Sequence, residues 1–351
     1  MSQVSSIVAS DSELQEYYAG LKAQHVKPAW IGVHQTDRPT TTVVPFVWHW
    51  RDIRPQLMRA AELVGTEQAE RRVLRMTNPG LEESASNTLV ANYQIVMPGE
   101  IARAHRHTAA ALRFIVEGKG GSTVVNGTRI PMYPGDLVLT PNWTWHDHIN
   151  DTAEPMIWLD GLDTPLVRML EAGFYEPFDR DRQQVGPDNS QSLMHTGYGG
   201  LRPSLEPAVS PRYSPRWHYP LAQAAAELER LAEQGSSSSC DGVMLEYTNP
   251  LTGGSVMPTI ACAIQRLGPG EHTRAHRHVC CTNYHVIEGS GYSLVGGERL
   301  DWEDKDVFTV PTWATHEHVN TGERPAYLFS FTDAPAMKAL DLYREEAVEL
   351  A

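Results

Sequence analysis

Short apolar runs punctuated by Gly, Pro or Asn set the character of the chain. TLVANYQIV (88–96), LRFIVEG (112–118), STVVNG (122–127), DLVLTP (136–141) and PMIWLDGL (155–162) are rich in β-branched and aromatic residues. Runs this short, bounded by turn residues, predict the strands of an all-β sandwich or barrel, of which the double-sheet jelly roll is one form. A helical spacing replaces the pattern in three places: 12–25 (SELQEYYAGLKAQH), 51–65 (RDIRPQLMRAAELVG) and 220–234 (PLAQAAAELERLAEQ), the last with Pro in its first turn. The stretch 175–219 is rich in Pro, Gly, Ser and Tyr without a clear period, and predicts an irregular linker.

The strand pattern occurs twice. MPGEIARAHRHTAAALRFIVEGKG (97–120) matches GPGEHTRAHRHVCCTNYHVIEGSG (268–291) at an offset of 171. LTPNWTWHDHIND (139–151) matches TVPTWATHEHVNT (309–321) at 170, as Asp163-Thr-Pro matches Asp333-Ala-Pro. That period is far longer than a solenoid unit, so it reports a domain duplication. The layout that follows is a helical and extended segment over 1–69, a first domain over 70–174, a linker with its helix over 175–240, a second domain over 241–335 and a closing helix over 336–351.

Composition excludes several function classes. The formal net charge of −14 argues against a nucleic-acid partner, because phosphate binding wants a basic face. No run approaches the length of a membrane-spanning helix, and MSQVSSIVASDSELQEYY lacks the basic start and apolar core of a secretory signal. Four cysteines confined to 240–281 make no disulfide framework, so a cytoplasmic protein is expected. Histidine changes the picture most. Of 15, eight stand in His-x-His pairs at 105/107, 146/148, 276/278 and 316/318.

Residues two apart on a strand point to one face. His105 and His107 can therefore hold one metal between them, with His146 from a neighbouring strand as third ligand. The spacing Gly99…His105-x-His107, then Gly135…Pro141…His146…Asn150, resembles the two cupin motifs, with Trp143 where the second motif usually has Gly. The chain resembles a bicupin: all-β with accessory helices, two jelly-roll β-barrels from a domain duplication. Most cupins add a Glu ligand after the second His, but Ala111 and Leu112 stand there. A divalent ion held by three neutral imidazoles keeps its charge and open positions, and suits an anionic chelating substrate and dioxygen.

HRHTAAALRFIVEG, LTPNWTWHDHIND and PMIWLDGLD narrow the resemblance to the gentisate 1,2-dioxygenase family, which includes the salicylate, 5-nitrosalicylate and 1-hydroxy-2-naphthoate ring-cleaving enzymes. The resemblance spans most of the chain. It implies Fe(II), a homo-oligomer, often a homotetramer, and fission between the carboxyl- and hydroxyl-bearing carbons of a small aromatic acid by dioxygen. Gentisate is the default substrate, with the other acids as alternatives. On the ligand side by strand parity, Arg113 could pair with the substrate carboxylate. His148 could hydrogen-bond substrate or move a proton. By the same resemblance Gln94 and Arg71 match substrate contacts, with Arg72 leaving the register of Arg71 open, and Asp160 matches an acidic residue able to orient Arg113 or a histidine. Val90 stands where the salicylate-cleaving branch has Trp, which leaves room for a ring substituent or a second ring.

His276, His278 and His316 repeat the metal set in the second domain, and could hold a second metal. Arg113, Asp160 and Arg71 map there to Tyr284, Ser330 and Gly242. One catalytic iron in the first domain is expected. A zinc or manganese cupin isomerase and a non-enzymatic bicupin are the rival readings.

Overall fold

The computed structural model describes residues 10–31, 36–66, 68–69, 71–186 and 213–348. Much of the linker expected over 175–219 and the end of the closing segment lie outside the described residues. The described residues up to Thr40 form a compact unit of their own. Its helix, Asp11–Ala23, opens on a capping box: Ser10 Oγ accepts from the Glu13 N–H, and the Glu13 carboxylate accepts from the Ser10 N–H at 2.9 Å.

From Thr41 onward the chain builds two domains of one design, each a pair of antiparallel sheets facing one another, with no hydrogen-bonded closure into a barrel among the described residues. In the first, one sheet runs His218–Tyr219, Leu137–Thr140, Ala111–Glu117, Met156–Leu162, Val90–Val96, Arg72–Arg75; the other runs Tyr175–Pro177, Ile101–His107, His146–Ile149, Ser122–Val125, Thr128–Pro131. The second domain repeats this order, with Thr282–Glu288, Ala326–Thr332 and Ala261–Leu267 at the centre of its larger sheet and His316–Asn320 and His276–His278 in the smaller.

The larger sheets pack back to back. Strict alternation sends Tyr93, Leu112, Phe114, Leu159 and Gly161 to that interface. Phe114 stacks on Phe329 at 4.3 Å. Gly161 lies under Phe331, where a Cβ would stand 2.8 Å from the ring. Two aspartates tie the domains reciprocally. Asp163 accepts from the Ala110 N–H (2.8 Å) and from Thr259 Oγ1 across the interface (2.5 Å). Asp333 accepts from the Cys281 N–H (2.8 Å) and from Thr88 Oγ1 of the other domain (2.6 Å). Burial raises both carboxyl pKa values against the pull of these hydrogen bonds.

The duplication reaches further upstream than the sequence match. Phe46–Trp48 followed by helix Trp50–Leu63 corresponds to His218–Tyr219 followed by helix Leu221–Glu233. Each short strand caps the larger sheet of the other domain, pairing with Val307–Val310 and Leu137–Thr140 respectively. The following helix start is held by a carboxylate of the domain just capped: the Trp50 N–H donates to Asp306 Oδ1 (2.7 Å), the Leu221 N–H to Asp136 Oδ1 (3.1 Å). Pro220 sits at the N-cap, outside the first turn where the spacing put it.

The closing helix expected over 336–351 is replaced by a short helix, Ala334–Ala339, a left-handed Asp341, and an edge strand, Glu345–Ala347, pairing with His276–His278. The first domain ends the same way: Thr164–Met169, a left-handed Glu171, then Tyr175–Pro177 on His105–His107. A residue with positive φ stops a helix, and an unpaired edge beside the histidine strand takes up the chain beyond it.

Candidate metal centre and active site

His105 and His107 lie on one face of Ile101–His107, and His146 pairs with His105 from the adjacent strand. The ligand atoms of the three lie within 4.8 Å of one another. In each ring Nδ1 meets a backbone carbonyl: His105 that of Arg103 (2.9 Å), His107 that of Ala109 (2.8 Å), His146 that of Thr144 (3.0 Å). A carbonyl only accepts, so Nδ1 carries the proton and Nε2 is the free lone pair. Nε2 of His105 and of His146 is buried without a partner. Burial, with the charge of Arg71 next, pushes His105 down to about 3; burial pushes His107 down to about 4 and holds His146 well below the usual imidazole range. All three are therefore neutral at pH 7, the form that binds metal. Three converging, oriented, neutral imidazoles fit a divalent transition ion, and among the described residues no carboxylate joins them.

The loop before His146 carries the departure from the usual cupin glycine. Trp143 has φ +59° and its counterpart Trp313 +61°, so the left-handed turn is kept without the residue that adopts it freely. The N–H of each donates to a ligand-strand carbonyl, Trp143 to His107 (2.9 Å) and Trp313 to His278 (2.8 Å). The Arg106 guanidinium lies 4.5 Å from the Trp143 ring and 4.4 Å from Trp145, which anchors the strained turn from outside.

The facing wall comes from the larger sheet. Register places Asn92, Asp160 and Arg113 in one row across three strands, with Gln94 and Trp158 in the next and Val90 with Leu162 in the previous one. Arg113 is 3% exposed; its Nη1 donates to Thr140 Oγ1 at 2.7 Å and its Nε lies 3.3 Å from Asp160 Oδ1. Asp160 also accepts from Trp158 Nε1 at 3.0 Å. Burial pushes the Asp160 carboxyl up to about 6, against the opposing pull of Arg113 and Arg71, and pushes Arg113 down to about 10. Gln94 Nε2 and Asn92 Oδ1 are buried without partners.

The two arginines at the start of this sheet separate cleanly. Arg72 is buried and turned to Glu100 and the Val64 carbonyl. Arg71 is half-buried, and its charge acts on His105, His107, His148, Arg113 and Asp160. His148 lies two residues beyond His146, fully buried, with Nδ1 2.9 Å from Thr123 Oγ1 and Nε2 unpartnered. Burial holds it well below the usual imidazole range.

Asn92, Thr123, Thr140 and Trp158 were not singled out from sequence. Strand parity with Gln94 marks Asn92. For Thr123 the signal is the second domain, where Ser293 stands at the same place and meets His318 Nδ1 at 2.8 Å. The second domain gathers His276, His278 and His316 within the same 4.8 Å. Tyr284 and Ser330 pair across its strands where Arg113 and Asp160 pair in the first.

Two segments, 92–161 and 263–332, match the Cupin domain family. The chain is 42% identical over 344 residues to 5-aminosalicylate 1,2-dioxygenase of Comamonas sp, covering 96% of this chain and 91% of that protein. It is 37% identical over 341 residues to gentisate 1,2 dioxygenase 1 of Aquipseudomonas alcaligenes, covering 96% and 97%. A crystal structure of salicylate 1,2-dioxygenase from Pseudoaminobacter salicylatoxidans with gentisate superposes with TM-score 0.89 at 35% identity, covering 98% of this chain and 97% of that one.

Proposed function

The chain belongs to the gentisate 1,2-dioxygenase family, and on that premise we propose that it is an iron(II)-dependent dioxygenase opening the ring of a 5-substituted salicylate between its carboxyl- and hydroxyl-bearing carbons. The observation that carries the reading is the pairing of walls: three neutral imidazoles with no carboxylate ligand face a buried, pre-oriented arginine. An Fe(II) held by His105, His107 and His146 would supply activation of dioxygen and of the chelated acid.

The chain's own residues do the rest. Arg113 binds the substrate carboxylate, its guanidinium fixed by Thr140 and Asp160 so that little freedom is lost on binding. Arg71 adds a second positive charge at the same wall. Gln94 and Asn92 offer buried amide atoms with no internal partner, suited to a polar ring substituent. His148, held through Nδ1 by Thr123, presents Nε2 to the substrate hydroxyl, where it holds or moves the phenolic proton. Asp160 positions Arg113 and stabilises its charge in a site shielded from water.

Val90 favours a substituted ring. It shares the face of Asn92 and Gln94, and a side chain this small leaves space where a Trp would fill it. Gentisate and 5-aminosalicylate both carry a polar 5-substituent, and relatives named for each cover almost the whole chain.

The same reading makes the protein a cytoplasmic homo-oligomer, with a homotetramer as the expected assembly. Among the described residues no helix is long and apolar enough to cross a membrane. Exposed Met169, Leu170, Phe174, Leu340 and Leu342 support self-association. The test is an oxygen-electrode screen of ferrous-loaded protein against gentisate, 5-aminosalicylate, 5-nitrosalicylate, salicylate and 1-hydroxy-2-naphthoate. Uptake of one dioxygen per substrate is expected, fastest with a 5-substituted acid. No uptake with any of them contradicts the proposal.

A further inference from the structure

The second cupin keeps the histidines and reverses the charge around them. Where the first has Arg71, the second has Gly242, and the residue just before it is Asp241. Asp241 Oδ1 lies 3.7 Å from His276 Nε2. That is too long for a hydrogen bond. It approaches the edge, about 3.4 Å, of a tetrahedron of donors each about 2.0–2.1 Å from a central ion, although Asp241 stands outside the 4.8 Å set formed by the three histidines, so ligation requires its carboxylate to swing toward them. His276 is also the one histidine of the two triads whose Nδ1 is buried without a partner, so no carbonyl fixes its ring as Arg103 fixes His105. His316 Nε2 is buried and unpartnered, and its Nδ1 meets the Ala314 carbonyl at 3.0 Å. His278 is held through Nδ1 by Cys280 Sγ at 2.9 Å. His276 and His278 line a cavity of about 250 Å³ whose lining also includes Asp241, Glu246 and Glu345 against a single cation, Lys338.

We propose that the second cupin holds a divalent metal through His276, His278 and His316 with Asp241 as a fourth, anionic ligand, forming a closed structural centre that takes no aromatic acid. The carboxylate occupies a position that a chelating substrate would need and lowers the charge of the centre from +2 to +1. An incoming carboxylate would also meet Glu246 and Glu345 with no buried arginine to receive it. The site thus differs in kind from the first, where three neutral ligands leave the metal's charge and open positions to the substrate. It stands independently of the ring-cleaving reaction, and its test uses no turnover.

The experiment is anaerobic titration of the full-length apoprotein with Co²⁺, followed by equilibrium dialysis and visible absorption. The first site is disabled by His105→Ala and His107→Ala together, with circular dichroism as the control for folding. This double variant is expected to bind one Co²⁺ with the intense visible band of four-coordinate cobalt, and the unsubstituted chain two. Adding Asp241→Asn should weaken binding at least about tenfold and dim the band, while Glu246→Gln should change neither. Failure of the folded double variant to bind Co²⁺, with only one ion on the unsubstituted chain, overturns the site. Unchanged affinity and spectrum in Asp241→Asn overturns the ligand assignment.

Discussion

Replacing Arg113 with Gln tests the substrate-binding wall at its buried cation. Arg113 is 3% exposed, donates to Thr140 Oγ1 at 2.7 Å and sits 3.3 Å from Asp160. A charge-assisted hydrogen bond to a carboxylate contributes about 1.5–3 kcal/mol. At about 1.4 kcal/mol per tenfold, kcat/KM should fall about 10- to 150-fold. The carboxylate is bound before and during the reaction, so most of the loss should appear in KM. Stability should suffer less than the about 3–5 kcal/mol of a broken buried ion pair. The reason is Asp160: burial already lifts its carboxyl to about 6, and without Arg113 it rises further and binds a proton near neutral pH instead of remaining a bare charge. Arg113→Lys should recover part of the loss, since it restores the charge without the planar fork. The assay is initial-rate oxygen uptake over a substrate series, with iron content and urea unfolding measured on the same preparations. A kcat/KM within threefold of the parent, with iron and folding intact, would refute the assignment of Arg113 to the carboxylate.

Three further outcomes follow from the same structure. Val90→Trp should shift relative kcat/KM from 5-substituted acids toward unsubstituted salicylate; an unchanged ranking across the panel counts against Val90 as the residue that makes room. His285, buried at the interface with Phe114 at 5.4 Å, is pushed down to about 3 by burial and then by Lys305. Its neutral form is favoured by folding, so that contribution is full above pH 6.5 and is lost as pH falls toward 3; His285→Gln should make stability, read by urea midpoint, less sensitive to acid across that window, and an equal acid dependence would refute this. Gly161→Ala places a Cβ 2.8 Å from the fully buried Phe331 ring and 3.1 Å from Leu112 Cγ, and overpacking of this kind should cost about 1–3 kcal/mol in denaturant titration. A change within about 0.5 kcal/mol would show that the interface yields.

Parity made much of this site legible. His105, His107 and Arg113 follow from an i, i+2 rule within strands whose limits the turn residues mark. The same rule stops at Arg72, the first residue of its strand. Arg71 precedes the ladder, so its direction depends on the turn and not on the pleat, and parity does not separate the two arginines. Asn92 was open to the rule and went unread because a lone Asn in an apolar run looks like a structural amide. Thr123 needs the comparison with Ser293, since its role is to hold a histidine 25 positions away. The upstream part of the duplication was hidden for a different reason. Phe46–Trp48 and His218–Tyr219 contribute edge pairing, which constrains the backbone more than the side chains, so little sequence likeness survives there. The chain end after Ala339 misled because its apolar spacing suits a helix, while the pairing offered by His276–His278 decides in favour of a strand.

The central claim is that the first cupin spends dioxygen on opening a salicylate ring. Incubating the ferrous-loaded protein with gentisate or 5-aminosalicylate under ¹⁸O₂ and weighing the product tests it most directly. Both labelled atoms should appear in one open-chain product, with His107→Ala forming none. With the new ketone reduced by borohydride before its oxygen exchanges with water, a product carrying one labelled atom, or an intact hydroxylated ring, would contradict the account.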